Sequence, residues 1–192
     1  MTAYRALPAA LAALLWCSAA GAIQQVKSLY TAVDLSKCQP AAGEEHAGPA
    51  WSCDGLPGFP VYVASAPQGV YLSVGANADK QRAAGQTLKS ANTVFEPGGM
   101  RTTIEWRFVV RGGRPVPYAT IVRYFTHDAT AHGEVLVVMR VTENEVCHVA
   151  HVDALANLDA MVLARKLADT DARAKPCPDV PAVQGARGRS PM

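Results

Sequence analysis

TTIEWRFVV (Thr102–Val110), YATIVRYFT (Tyr118–Thr126), EVLVVMRV (Glu134–Val141) and VCHVAHVD (Val146–Asp153) are four β-rich runs in succession. In the first, Ile104, Trp106, Phe108 and Val110 alternate with Thr103, Glu105, Arg107 and Val109, the period-two pattern of a strand with one buried face. The glycines and prolines between Arg111 and Pro117 supply a hairpin connection, and Thr142-Glu143-Asn144-Glu145 supplies the last turn. Short connections make consecutive strands neighbours, so the runs predict an antiparallel meander. Val135 to Met139 is apolar on both faces, which predicts a central strand covered on both sides.

Symmetric hairpins give this meander a register. Centring the first turn near Arg114 sets Glu105 opposite Arg123, and centring the last near Asn144 sets Val137 opposite His151. One face then carries Ile104, Trp106, Phe108, Tyr118, Val122, Tyr124, Leu136, Val138 and Val152, the expected seat of a helix. The other carries Glu105, Arg107, Arg123, His151 and Asp153 among Ile121, Phe125, Val137 and Val149. This polar group is the candidate ligand-binding site. In its sharper reading, Arg107 and Arg123 receive an anion, and Asp153 polarises the His151 imidazole. In its plainer reading, Glu105 and Arg123 form an ordinary cross-strand ion pair worth ~0.2–1 kcal/mol.

Outward from the sheet, Leu155 to Ala174 has Leu158, Met161, Val162, Arg165 and Leu167 at helical spacing. Asn157 is placed to cap its N-terminus, and Arg165 lies at the edge of the apolar stripe. Residues 179–192 are rich in Pro, Gly and Arg and read as a disordered tail. On the N-terminal side, Ser28–Leu35 is a strand candidate. Val61–Ala64 and Val70–Val74, joined by a turn at Ala66-Pro67-Gln68-Gly69, form a hairpin candidate. Cys38 to Cys53 contains Pro40, Gly43, Gly48 and Pro49 and reads as an exposed loop. Ala76 to Leu88 is a short helix or an irregular crossing.

Residues 1–22 read as a signal peptide. Arg5 is the n-region, Leu7 to Trp16 the apolar core and Ala20-Gly21-Ala22 the cleavage site. The apolar core is too short to span a bilayer, and no later stretch is long and apolar enough. Cleavage would remove Cys17 and leave Cys38, Cys53, Cys147 and Cys177, an even set that reads as two disulfides in an exported chain. Three pairings are possible. Cys38–Cys53 and Cys147–Cys177 are favoured because each closes a segment that needs closing, at ~3–4 kcal/mol apiece. Residues 23–178 make one domain in a chain of 192 residues, 49% hydrophobic and 18% charged. Without Arg5 the chain has 17 basic and 16 acidic residues, a balance that gives no field to hold nucleic acid or an anionic membrane.

Motifs for defined chemistry are few. His148-Val149-Ala150-His151 is an H-x-x-H string, but residues three apart on a regular strand point to opposite faces, so no metal or other cofactor is expected there. His127, Asp128 and His132 share a loop and are expected to be solvated. No G-x-S-x-G occurs, and Gly98-Gly99 and Gly112-Gly113 match no nucleotide-binding pattern.

Trp51-Ser52-Cys53, Gly55-Leu56-Pro57-Gly58, the run Gly113 to Phe125, Cys147-His148-Val149-Ala150 and Asp153 to Asn157, together with the leader, resemble a group of small exported proteins of alphaproteobacteria. The resemblance spans most of residues 23–178. It implies export and no particular activity, and it carries over no site residues.

The sequence therefore predicts an α+β domain: an antiparallel β-meander sheet of about five to six strands, packed by one C-terminal helix and locked by two disulfides. The expected function is that of a periplasmic or secreted, monomeric binding or interaction protein, non-enzymatic, with an envelope protein or an anionic ligand as partner. The alternatives are a small envelope hydrolase using His151 and Asp153, and a structural envelope component.

Overall fold

The computed structural model describes residues 26–42 and 48–192. The leader assigned to residues 1–22 lies outside the described residues. The four runs form strands β7 (Arg101–Arg111), β8 (Arg114–His127), β9 (His132–Val141) and β10 (Val146–Asp153). They are antiparallel neighbours in the predicted order. Gly112 and Gly113, at φ +55° and +76°, make the β7–β8 connection a two-residue turn that only glycine adopts without strain.

The sheet is larger than the meander. β1 (Val26–Asp34) pairs antiparallel with β7, and β6 (Ala91–Thr93) pairs with the far end of β8. β11 (Ala182–Gln184) pairs parallel with β10, so the sheet has seven strands and is mixed. A second, four-stranded antiparallel sheet runs β2 (Gln39–Ala41), β3 (Ala50–Leu56), β4 (Phe59–Ala66) and β5 (Gly69–Val74). The β4–β5 hairpin matches the sequence reading. The Cys38–Cys53 stretch does not, because it holds β2 and the start of β3 rather than a plain loop. Pro40 is tolerated there because β2 is an edge strand that pairs only with β3.

The second sheet changes what covers what. The face bearing Ile104, Trp106, Val122, Tyr124, Val135, Val137 and Met139 packs on Val61, Val63, Leu72 and Val74 of the small sheet. Trp106 and Tyr124 are fully buried there. The sequence reading gave this face to the helix. It is too wide and aromatic for one short helix, and a β-sandwich buries it instead. The helix α1 (Ala160–Leu167) lies on the opposite face. Its Ala160, Ala164 and Ala168 approach Ala119, Ile121, Leu136 and Val138 closely because they are small. Three layers result: small sheet, large sheet, helix.

The helix begins later than predicted. Ala154 to Ala156 form a turn in which Asp153 Oδ1 accepts the Leu155 and Ala156 amides. Asn157 is not the cap, because its side chain bonds the Asp153 carbonyl and both backbone polar groups of Ala186. At the other end a π-helical turn, Ala168–Ala172, carries the helix on to Ala174.

The two favoured disulfides are present, Cys38–Cys53 and Cys147–Cys177, with Cα–Cα distances of 4.5 and 6.0 Å. Residues 179–192 are ordered rather than a disordered tail. After β11 the chain reaches the end of β9, where Ser190 is buried against Gly133. A Cβ at Gly133 would lie 2.5 Å from that of Ser190, so only glycine admits the closing segment.

Candidate functional site

The registers decide which candidate side chains meet. β7 and β8 pair Glu105 with Ile121, not with Arg123. An extra residue, Tyr118, sits between Arg107–Ala119 and Phe108–Pro117, and this bulge together with the glycine turn moves the pairing by two residues. A slip of two keeps Glu105, Arg107 and Arg123 on one face, but Tyr118, Leu136 and Val138, expected beside Trp106, lie on that same helix face, and Val137 lies with Trp106. Val137 faces His151 as predicted.

β10 departs from regular alternation. His148 pairs with Met139 and Ala150 with Val138, leaving Val149 as the extra residue of a β-bulge. Met139 and Val137 lie on the sandwich side, so His148 and His151 both face that side. The strict alternation assumed for the H-x-x-H string is therefore overturned. His148 Nδ1 and His151 Nε2 are 3.2 Å apart. The ring centroids are 5.4 Å apart, about the N···N distance plus two ring radii, so the nitrogens meet nearly head-on along one N–H···N axis. One ring donates and the other accepts.

The predicted site is thus split by the sheet. His151 is on the sandwich face, beside His148 and away from the arginines. Asp153 shares that face but does not touch His151. Its carboxylate accepts five donors: the amides of Leu155, Ala156, Arg189 and Ser190, and the Ser190 hydroxyl at 2.6 Å. Burial alone would raise the Asp153 pKa. The Ser190 hydroxyl and the surrounding amides outweigh it and hold the carboxyl below its ordinary value. With those bonds made, Asp153 is the anchor of residues 186–190 and not the partner of a catalytic imidazole. The His151–Asp153 hydrolase arrangement is not assembled.

On the helix face the charged candidates are tied to one another. Buried Glu105 accepts from Ser28 Oγ at 2.5 Å and from Arg165 Nε at 2.8 Å, and Arg165 also reaches Tyr30. Arg107 makes a two-point pair with Asp169 at 2.9 and 2.6 Å, and its third nitrogen donates to Ser28 Oγ. The Tyr118 hydroxyl donates to Asp169 at 2.6 Å. Burial, reinforced by that carboxylate, pushes the Tyr118 pKa up. Burial would lower the Arg107 pKa, but Asp169 more than offsets it, and the Glu105 carboxylate raises that of Arg165. Two arginines and two carboxylates thereby clamp the helix to the sheet. Arg123 pairs with Glu134 at the rim. Arg101 pairs with Asp34, and Arg140 donates to the carbonyls of Ala172 and Lys175. Asp128 accepts from Thr130 and Ala131, which folds the His127–His132 loop.

The histidine pair opens differently. It lies in the wall of a cleft of about 430 Å³ between β5, the segment Gly85–Lys89 and residues 180–192. Tyr71, Leu88, Val180, Pro181, Val183 and Met192 give the lining an apolar character, and Gln68, Lys89, His148 and His151 give it polar points. Neither Asp nor Glu lines it. His148 is fully buried and His151 partly so. Burial lowers the His148 pKa to about 3, with a smaller contribution from His151, and burial lowers that of His151 to about 4. Both rings are neutral at physiological pH. The free edge of β10 beside them is closed by glutamines: Gln86 Oε1 accepts the His148 amide at 2.8 Å and Gln81 Oε1 the Val146 amide at 3.0 Å.

Sequence reasoning missed His148 and the residues that bring the cleft together. The H-x-x-H string was the available signal, but the bulge that makes it converge has no sequence signature in Val149. Among the described residues no helix is long and apolar enough to cross a membrane, and no three His, Cys, Asp or Glu side chains gather as a metal site. The chain matches no protein-family model, no curated protein and no solved structure.

Proposed function

We propose that this protein is an exported, non-enzymatic binding module and that its ligand seat is the cleft over His148 and His151. The observation that carries the reading is a neutral, mutually bonded imidazole pair in the wall of a cleft lined by neither Asp nor Glu. Such a cleft suits a ligand with an apolar body and a hydrogen-bonding or anionic end, the apolar part against Tyr71, Val183 and Met192 and the polar end toward Lys89 or His151. Two disulfides and the leader-like residues 1–22 support an oxidising compartment outside the cytoplasm, as does the resemblance to small exported proteins of alphaproteobacteria.

The test is a thermal-shift screen of residues 23–192 against small organic acids and acyl compounds, with Tyr71→Ala/His151→Ala as control. The full tail is kept because it forms one wall. The expected result is a ligand that raises the wild-type melting temperature by several degrees and leaves the control unmoved, since binding to the folded state alone stabilises it. Equal shifts in both proteins would remove the cleft as the seat.

A further inference from the structure

Three features bear on what the cleft takes: the close approach of two imidazole nitrogens, the absence of Asp and Glu, and Met192, a thioether-bearing residue, in the same lining. We propose that the His148–His151 pair is a binding site for a soft monovalent metal ion, Cu(I), with Met192 as a supporting third ligand. This rests on the reading of the cleft as a ligand seat and names one occupant for it.

The geometry admits an ion without remodelling the strand. At the usual metal–imidazole distance of about 2.0–2.1 Å, two nitrogens 3.2 Å apart subtend about 100° at a shared ion. To aim at a common point each lone pair swings about 40° off the N···N axis, so the buried His148 ring turns together with the His151 ring. His151 is partly buried and lines the cleft, so its ring has room to do so. The proton now shared between the rings moves to the outer nitrogen of the ring that carries it. Both facing nitrogens are then free to bind, and no net proton is lost.

The choice of ion follows from charge and ligand type. A divalent ion such as Zn²⁺ prefers four ligands, commonly with anionic thiolate or carboxylate among them. Here two neutral imidazoles and Met192 line the cleft, with no Asp or Glu and with Lys89 in the same lining. Cu(I) carries half the charge and is matched by imidazole and thioether. The bulge at Val149 is what supplies the second nitrogen, because regular alternation would send His148 and His151 to opposite faces.

The experiment uses residues 23–192 with both disulfides intact. Cu(I) is held anaerobically with ascorbate on a chromogenic bis-chelator, and protein is titrated in. Ascorbate is used in place of a thiol so that Cys38–Cys53 and Cys147–Cys177 stay closed. Wild type is expected to withdraw one Cu(I) per chain. His151→Phe, which keeps the ring volume, is expected to withdraw none while melting cooperatively. Met192→Leu is expected to bind about tenfold more weakly, the low end for a supporting group. Cu(I) left on the chelator by wild type, or one-to-one withdrawal by His151→Phe, overturns the inference. An organic ligand captured by wild type and lost in Tyr71→Ala/His151→Ala, with no Cu(I) bound, overturns the metal site and leaves the cleft reading standing.

Discussion

Two polar islands lie on opposite faces of one sheet and solve burial in opposite ways. On the helix face, Glu105 and Asp169 are matched by Arg165 and Arg107, and Ser28, Tyr30 and Tyr118 fill the remaining bonding positions. On the sandwich face, His148 and His151 carry no charge, touch no carboxylate and bond each other. A fully paired ionic cluster holds elements in place, and its bonding capacity is occupied. A neutral pair beside a cleft keeps nitrogen lone pairs in reserve. Binding chemistry is therefore expected on the second face, and the arginines that look functional in the sequence belong to the architecture of the first.

The comparison is open to direct attack. Acid should separate the two islands first. Both histidines have folded pKa values, about 3 and about 4, below the unfolded value of 6.5. Protons therefore bind the unfolded chain more tightly. The stability held above pH 6.5 is lost as pH falls toward those folded values. Two extra protons on the unfolded state give a slope of roughly 2.7 kcal/mol per pH unit near pH 5. Denaturant titrations of metal-free protein at pH 7, 6 and 5 measure this, and His148→Leu should reduce the slope by about half. An unchanged slope would mean the rings are not buried neutral. Next, Glu105→Ala should cost about 1–3 kcal/mol in urea unfolding, because it removes the acceptor of Ser28 and of the part-exposed Arg165, while Arg107 keeps Asp169.

The central meander was legible because Ile104, Trp106 and their alternating neighbours bury one face of a regular strand. Both disulfides were legible because an even set of cysteines flanked segments that needed closing. In the small sheet the β4–β5 hairpin was legible but β2 and β3 were not, because they carry Pro40, Gly55 and Cys53, residues that read as loop until a partner strand is beside them. The candidate site was legible only in pieces. Along β7 and β8 the face of Glu105, Arg107 and Arg123 survived a register error of two residues, whereas β9, apolar on both sides, gave no sign of which face was which, and Leu136, Val138 and Val137 came out reversed. Val149 adds one residue to β10, a change of parity that no local propensity encodes, and it brings His148 over to His151. Ser190 gave no signal because its role is to meet Asp153 from 37 residues away.

Smaller effects sharpen the contrast. Asp153→Asn should cost about 1–3 kcal/mol and speed amide hydrogen exchange at residues 182–190, because the amide side chain cannot accept all five donors. Protection unchanged at Ser190 would show that β11 holds the segment without Asp153. Arg123→Ala should change stability by less than about 1 kcal/mol, because its pair with Glu134 is more than a third exposed on both sides. A large loss there would make the rim pair part of the helix clamp.

The segment from 178 to 189 is fastened at both ends, covalently at Cys177 and by hydrogen bonds where Ser190 meets Asp153. In mechanical terms it is a bridge with two abutments and not a flap on one hinge. Between the abutments it is also tied down, because Val183 pairs with His151 itself and Asn157 holds Ala186. Cutting the Cys147–Cys177 bond removes one abutment and leaves the Ser190 one in place. Val180, Pro181 and Val183 of this tied span therefore form a fixed wall of the cleft over the histidines.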